Sequence, residues 1–166
     1  QAASSPPGSR GLTVLPHFDG TISPIPNPEA RGAVCNLTLQ HTRPDFYRAI
    51  LESIAFSLRE NICFLQQNGF NIEVVRSIGG GAQSNLWLQM KADITDLPVE
   101  RPAVTEAAVF GAAMLAAVGV GTFPSLKECS KALYHVERTF TPKPERQPVY
   151  DDAYDRYLAL CQRLYS

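Results

Sequence analysis

Val74-Val75-Arg76-Ser77-Ile78-Gly79-Gly80-Gly81-Ala82-Gln83-Ser84-Asn85-Leu86-Trp87 is the stretch around which the chain is organised. It reads as a short apolar strand, a turn of three consecutive glycines, and the polar start of a helix that continues through Leu88, Met90, Ala92 and Ile94. Glycine has no Cβ, so such a turn tolerates positive φ and lets another molecule approach the backbone closely. A helix opening straight after it presents unpaired N–H groups and the positive end of its dipole. Ser84 suits the N-cap, and Asn85 in the first turn offers an amide to a ligand. Together these parts make an anion or nucleotide cradle. The same spacing equally describes a turn that only packs a helix tightly on a sheet. Two other phosphate-binding patterns are absent. There is no G-x-x-x-x-G-K-[ST], and the glycines are adjacent rather than spaced G-x-G-x-x-G, which argues against a Rossmann-type oxidoreductase.

Working outward, 166 residues are enough for one ordinary domain with a real core. A hydrophobic share of 45% beside a charged share of 19% points to a globular protein. The net charge of −1 gives no electrostatic case for nucleic acid or an anionic membrane surface. Cys35, Cys63, Cys129 and Cys161 are scattered, with no C-x-x-C pair, and read as reduced, mostly core thiols suited to the cytoplasm. His17, His41 and His135 are equally dispersed, so no structural zinc site is expected. The longest uncharged run, Ala107 to Leu126, is interrupted by Gly119, Gly121 and Pro124 and reads as a buried helix, not a membrane span. No apolar leader opens the chain, and the missing initiator methionine suggests a fragment or a processed piece.

In chain order, residues 1–10 (QAASSPPGSR) read as a flexible lead-in. Gly11 to Pro16 and Ala33 to Thr38 read as strands on either side of a proline-rich loop. Thr42 and Asp45 form a capping box with Pro44 in the first turn. The helix that follows repeats Phe46, Ile50, Ile54, Leu58, Ile62 and Leu65 at helical spacing until Gly69, and Leu51, Ala55 and Phe56 suggest cover on two sides. Glu52 on this helix reads as an exposed or salt-bridged carboxylate before a functional one. Beyond the central turn come a strand at Pro98 to Arg101 and a helix from about Thr105 to Gly119 whose small residues point to close packing. A short helix over Ser125 to Tyr134, an edge strand at Arg138 to Phe140, and a final helix with a Tyr150, Tyr154, Tyr157, Leu158, Cys161, Leu164 and Tyr165 stripe complete the chain. Strands alternating with helices imply an α/β fold with a mixed sheet and helices on both faces.

Three stretches taken together resemble the FGGY carbohydrate kinases. They are Gly11-Leu12-Thr13-Val14-Leu15-Pro16 with Pro24 through Asn27-Pro28-Glu29-Ala30-Arg31-Gly32, then Arg48 through Phe56 (RAILESIAF), then Ile78 through Asn85 with Glu106 through Ala113 (EAAVFGAA). The resemblance implies an actin-like ATPase fold of two RNase H-like domains, with sugar and ATP meeting in the cleft between them. Residues 11–166 would be part of the C-terminal, nucleotide-binding domain. Gly80, Gly81 and Ala82 would present backbone to ATP or ADP, and Asn85 would hydrogen-bond it. Glu106 and Gly111 match family positions with a structural role. ATP and Mg²⁺ are the implied cofactors, and the sugar, a ketopentose such as xylulose, would be held mainly by an N-terminal domain. The family's catalytic aspartate precedes the matched region, so this chain alone is expected to be inactive and carries no catalytic or metal-binding residue. Gly20-Thr21-Ile22-Ser23-Pro24 departs from the family's Gly-Glu-Arg-x-Pro. A homodimer, and a non-catalytic nucleotide-binding or interaction module of the same fold, are the further expectations.

Overall fold

The computed structural model describes residues 1–165; Ser166, the last residue of the expected domain, lies outside the described residues. Among the described residues, two small sheets, five α-helices and four short 3-10 turns make up the fold. Strand β1 (Thr13–Leu15) pairs antiparallel with β2 (Ala33–Cys35), Val14 opposite Val34. The second sheet has the order β3 (Val75–Arg76), β4 (Val99–Pro102), β5 (Val136–Phe140). Its β3–β4 pair is parallel, as a crossover through a helix requires, and β4–β5 is antiparallel, so the sheet is mixed.

Helix α1 (Arg43–Gln67) begins where the capping box puts it, with both reciprocal Thr42–Asp45 bonds formed. It ends in a Schellman motif: Gly69 takes φ of 88°, its N–H donates to the Gln66 carbonyl, and the Phe70 N–H donates to the Leu65 carbonyl. Helix α2 (Asn85–Thr95) crosses between β3 and β4, and its Leu88 and Ala92 bury against Val99 and Phe140 of the sheet. Helices α3 (Ala107–Gly119) and α4 (Leu126–Leu133) follow, and α5 (Gln147–Tyr165) closes the chain. The main core joins Leu15, Ala55, Phe56 and Ile94 to Tyr150, Tyr154 and Tyr157 of α5. The Phe56 ring lies 5.9 Å from Tyr154 and 5.7 Å from Tyr157 between centroids, the range of productive aromatic packing.

Several expectations change. Residues 1–10 are not a loose lead-in. Ala2, Ser5 and Ser9 are buried, Arg48 donates to the Ser5 carbonyl at 2.9 Å, and Gly8 N–H and Ser9 Oγ–H both donate to Glu52. Ser, Pro and Gly here supply turns and hydroxyls that satisfy a buried carboxylate. Glu52 itself is 2% exposed and sits 2.7 Å from Arg48, so the salt-bridged alternative holds. Helix α1 is covered on the side carrying Asp45, Arg48, Ala49, Glu52 and Ser53, whereas Ile50, Ile54 and Leu65 of the expected core stripe are exposed.

Helix α3 has no buried residue; Val109 is 70% and Leu115 60% exposed, and nothing lies within 4 Å of where a Gly111 Cβ would stand. Its Ala/Gly composition suits close packing, but among the described residues α4 is its main neighbour. Leu164 is likewise exposed, and of the four free thiols only Cys129 is buried.

Candidate functional site: the glycine turn

The strand entering the turn is held by Val75 and Ser77, whose N–H groups donate to the Pro98 and Glu100 carbonyls at 2.9 Å. Gly79 then takes φ of 71°, in the left-handed region where a side chain is strained, and its N–H donates to the Thr105 carbonyl at 2.8 Å. Gly80–Gln83 form one 3-10 turn between strand and helix, an element the sequence pattern does not announce.

The three turn residues singled out from the sequence lie together, but their surroundings differ. Gly80 is exposed, and a Cβ there would meet nothing within 4 Å. A Cβ on Gly81 would stand 2.4 Å from the Trp87 ring, so this glycine makes room for a side chain of its own protein. Ala82 is fully buried; its N–H donates to the Gly79 carbonyl and its carbonyl accepts from Arg101. It anchors the turn. Trp87 is fixed in turn by Lys91, whose ammonium lies 4.2 Å from the ring centroid and donates to Ser77 Oγ at 3.0 Å. Burial lowers the Lys91 pKa.

Ser84 caps α2 by accepting the Trp87 N–H at 3.3 Å. Asn85, the first helical residue, is exposed, and its Oδ1 accepts from Arg101 Nη1 at 2.9 Å. That bond leaves the Nδ2 group pointing its donors elsewhere, and no partner for it is found among the described residues. Arg101 is itself paired with Glu137: its Nη2 donates to Oε1 at 3.0 Å, and its Nε lies 3.0 Å from Oε2 without hydrogen-bonding it. Neither Arg101 nor Glu137 was reached from the sequence. The signal was present as a repeated tripeptide, Val99-Glu100-Arg101 and Val136-Glu137-Arg138, on strands that pair antiparallel. Arg101 faces Arg138 and Pro102 faces Val136, so Glu137 is the extra residue of a bulge, which re-aims side chains locally.

The site therefore offers a row of backbone donors. The N–H groups of Gly80, Gly81, Asn85 and Leu86 have no partner among the described residues, as the first turns of helical segments allow. Thr105 orders the other flank, accepting from Gln83 Nε2 at 3.2 Å. Glu106 follows as the N-cap position of α3 without a side-chain capping bond. Among the described residues, no group of three or more His, Cys, Asp or Glu is arranged to hold a metal.

The mixed sheet with its helices makes an α/β chain, and the solved sugar-kinase structures that superpose on it give it the actin-like ATPase fold. The solved structure of a ligand-bound xylulose kinase from Lactobacillus acidophilus superposes with a TM-score of 0.88 at 27% identity, over 99% of this chain and 34% of that one. The model of the FGGY family of carbohydrate kinases, C-terminal domain, matches residues 1–120, and the chain belongs to that family. A xylulose kinase of Staphylococcus epidermidis is 37% identical over 159 residues, 96% of this chain and 32% of that protein. A glycerol kinase of Bacillus cytotoxicus is 36% identical over 146 residues, 87% of this chain and 29% of that protein. The chain thus spans about a third of the length of the curated relatives it matches.

Proposed function

We propose that this chain forms the nucleotide side of the cleft of an ATP-dependent carbohydrate kinase. The observation that carries the reading is the set of unpaired N–H donors at Gly80, Gly81, Asn85 and Leu86 beside an Asn85 amide oriented by Arg101. Anionic and polar nucleotide groups suit such a set, because helix N-termini favour negative charge. The acid of this relay, Glu137, is already neutralised by Arg101 and so does not repel them. Bound ATP would supply the phosphoryl group, with Mg²⁺ offsetting its charge. Mg²⁺ would enter with the phosphates whose charge it offsets. This chain's part is to hold and orient: Gly79 and Ala82 fix the turn, Gly80, Gly81 and Asn85 contact the nucleotide, and Arg101 points Asn85. Positioning and electrostatic stabilisation account for most of phosphoryl transfer, and one wall of a cleft supplies only part of them. The chain by itself is accordingly expected to turn over no sugar.

A ketopentose such as xylulose is the substrate we favour, on the xylulose kinases among the relatives; the glycerol kinase makes a shorter polyol the second reading. Four free thiols fit the reducing cytoplasm. The exposed apolar residues of α1 and α3 would support self-association into a dimer. Amide shifts measured during titration with Mg-ADP test the site directly. Shifts clustered on Gly79 to Asn85 are expected, and shifts elsewhere, or none at millimolar nucleotide, would refute the cradle. In a protein of the relatives' full length, Asn85→Ala should raise KM for ATP more than KM for the sugar.

A further inference from the structure

A concave site that shares no residue with the glycine turn lies between the β1–β2 sheet and the second half of α5. Thr13 stands opposite Cys35 across that sheet, so the two side chains share one of its sides. It is the side on which Leu15, two residues on, packs against the tyrosines of α5. Helix α5 brings Arg156, Ala159, Leu160 and Arg163 to the same place, at the i, i+3, i+4, i+7 spacing of one helix face. Between sheet and helix is a cavity of about 330 Å³, and Asn36 at the end of β2 completes its wall.

The wall carries two arginines and no acid. Arg156 donates from Nη1 to Asp152, a carboxylate whose side chain is 72% exposed, so water screens that pair. Arg156 Nε is buried and makes no hydrogen bond among the described residues. A buried N–H left without an acceptor points to one supplied from outside the chain. The Nε–Nη2 edge of a guanidinium is also one that takes two oxygens of an oxyanion side by side. Arg163 is exposed in the last turn of α5, where it offsets the negative end of the helix dipole. Arg156 lies about 10 Å further up the axis, clear of that end. The uncharged polar groups of the wall are already engaged: Thr13 Oγ–H and Asn36 Nδ2 both donate to the Gly11 carbonyl. Ala159 and Leu160 add apolar surface between the two arginines. One planar carboxylate uses one guanidinium fork, whereas a phosphate monoester has three terminal oxygens and close to two negative charges for both.

We propose that this cavity binds a small organic phosphate monoester, its phosphate held between Arg156 and Arg163 and its carbon body against Ala159 and Leu160. This does not depend on the nucleotide reading of the glycine turn. The test follows backbone amide shifts of the chain during titration with phenyl phosphate, with phenol as the neutral counterpart and benzoate as the carboxylate. Shifts should cluster on Cys35, Asn36 and Ala159 to Arg163. Phenyl phosphate should bind there at least about tenfold more tightly than phenol, the size of one charge-assisted hydrogen bond, and more tightly than benzoate. Arg163→Gln changes an exposed residue and leaves the core alone, so the variant should fold and lose at least about fivefold in affinity. Because the shifts are read residue by residue, binding at α5 and binding at the glycine turn are seen separately. Shifts confined to Gly79 through Leu86, no shifts at α5 in large excess, equal binding of phenol or benzoate, or an Arg163→Gln variant of unchanged affinity would each overturn the proposal.

Discussion

Two polar relays of similar make-up have opposite fates in this molecule. One joins Glu52, Arg48 and Tyr150: Arg48 Nε donates to Glu52, its Nη1 to the Ser5 carbonyl and its Nη2 to Tyr150 Oη, all within a buried space. The other joins Asn85, Arg101 and Glu137 at the surface. In the first, the hydrogen bonds end on protein partners and tie residues 1–10, α1 and α5 into one body. In the second, the amide nitrogen of Asn85 is left over. Burial thus separates a polar group that holds a fold together from one that is free to meet a ligand. A charged residue in a motif is weak evidence for either role until its exposure is known.

The largest consequence is expected at the buried relay. Arg48→Met would leave Glu52 without its cation in a site where burial already pushes the carboxyl pKa up. Removing one partner of a buried ion pair destabilises by roughly 3–5 kcal/mol, which should appear as a large drop in the urea midpoint. Tyr150, whose pKa burial raises to about 12, would lose its donor in the same change. A loss no greater than that of a surface substitution would erase the distinction between the two relays.

Next in size is the glycine turn. Gly81→Ala would drive a methyl group into the Trp87 ring, and forcing extra volume into a packed contact destabilises by about 1–3 kcal/mol. Trp87→Leu should relieve most of that loss in a double-mutant cycle, because the conflict is between these two residues. Gly80→Ala should have little effect on stability, since its Cβ would enter open space, yet it should weaken Mg-ADP binding if a nucleotide approaches there. Similar unfolding midpoints for the two alanine variants would contradict the close Gly81–Trp87 approach.

These residues also mark how far the sequence could be read. The strand, glycine turn, Ser84 cap and α2 were legible because each rests on local chemistry within a few residues. The same holds for the Thr42–Asp45 box and the tyrosines of α5. The Asn85–Arg101–Glu137 relay was not legible, because it spans 36 residues between arginine and glutamate and depends on a bulge. The burial of Ala2, Ser5, Gly8 and Ser9 was missed for a related reason. Their partners are polar groups on α1, and composition cannot distinguish a solvated serine from one that donates to Glu52. For α3 and the outer stripe of α1 the error ran the other way. Apolar periodicity reports that a face suits burial, whereas exposure depends on which elements stand beside it.

A smaller effect should come from acid at the start of α1. Ser5 Oγ–H donates to the Asp45 carboxylate at 2.6 Å, and Thr42 N–H and Oγ–H donate at 2.8 and 2.7 Å, holding its pKa at about 2 against an ordinary 3.8. A pKa depressed on folding gives stability that is present above the unfolded value and lost as pH falls through the folded one. The denaturation midpoint should therefore decline from about pH 4 towards pH 2, and Asp45→Asn should flatten that part of the profile. An unchanged profile in the variant would assign the acid sensitivity to other carboxylates.

The smallest effect on stability should come from Arg101→Met, and it bears most directly on the comparison. The Arg101 side chain is largely covered but its partner Glu137 is half exposed, and an ion pair screened by solvent on one side contributes about 1 kcal/mol. The methionine stem can keep packing near Phe140, whose ring centroid lies 5.9 Å from the guanidinium carbon. The midpoint should then barely move. Asn85, however, would lose the donor that fixes its Oδ1, and its amide could rotate among several orientations. Mg-ADP affinity should fall by a few-fold, short of the loss caused by Asn85→Ala, and in the double variant Arg101→Met should add nothing further. That non-additivity is what a positioning residue produces. If the two losses instead add, Arg101 meets the nucleotide itself, and the surface relay is two contacts rather than one oriented amide.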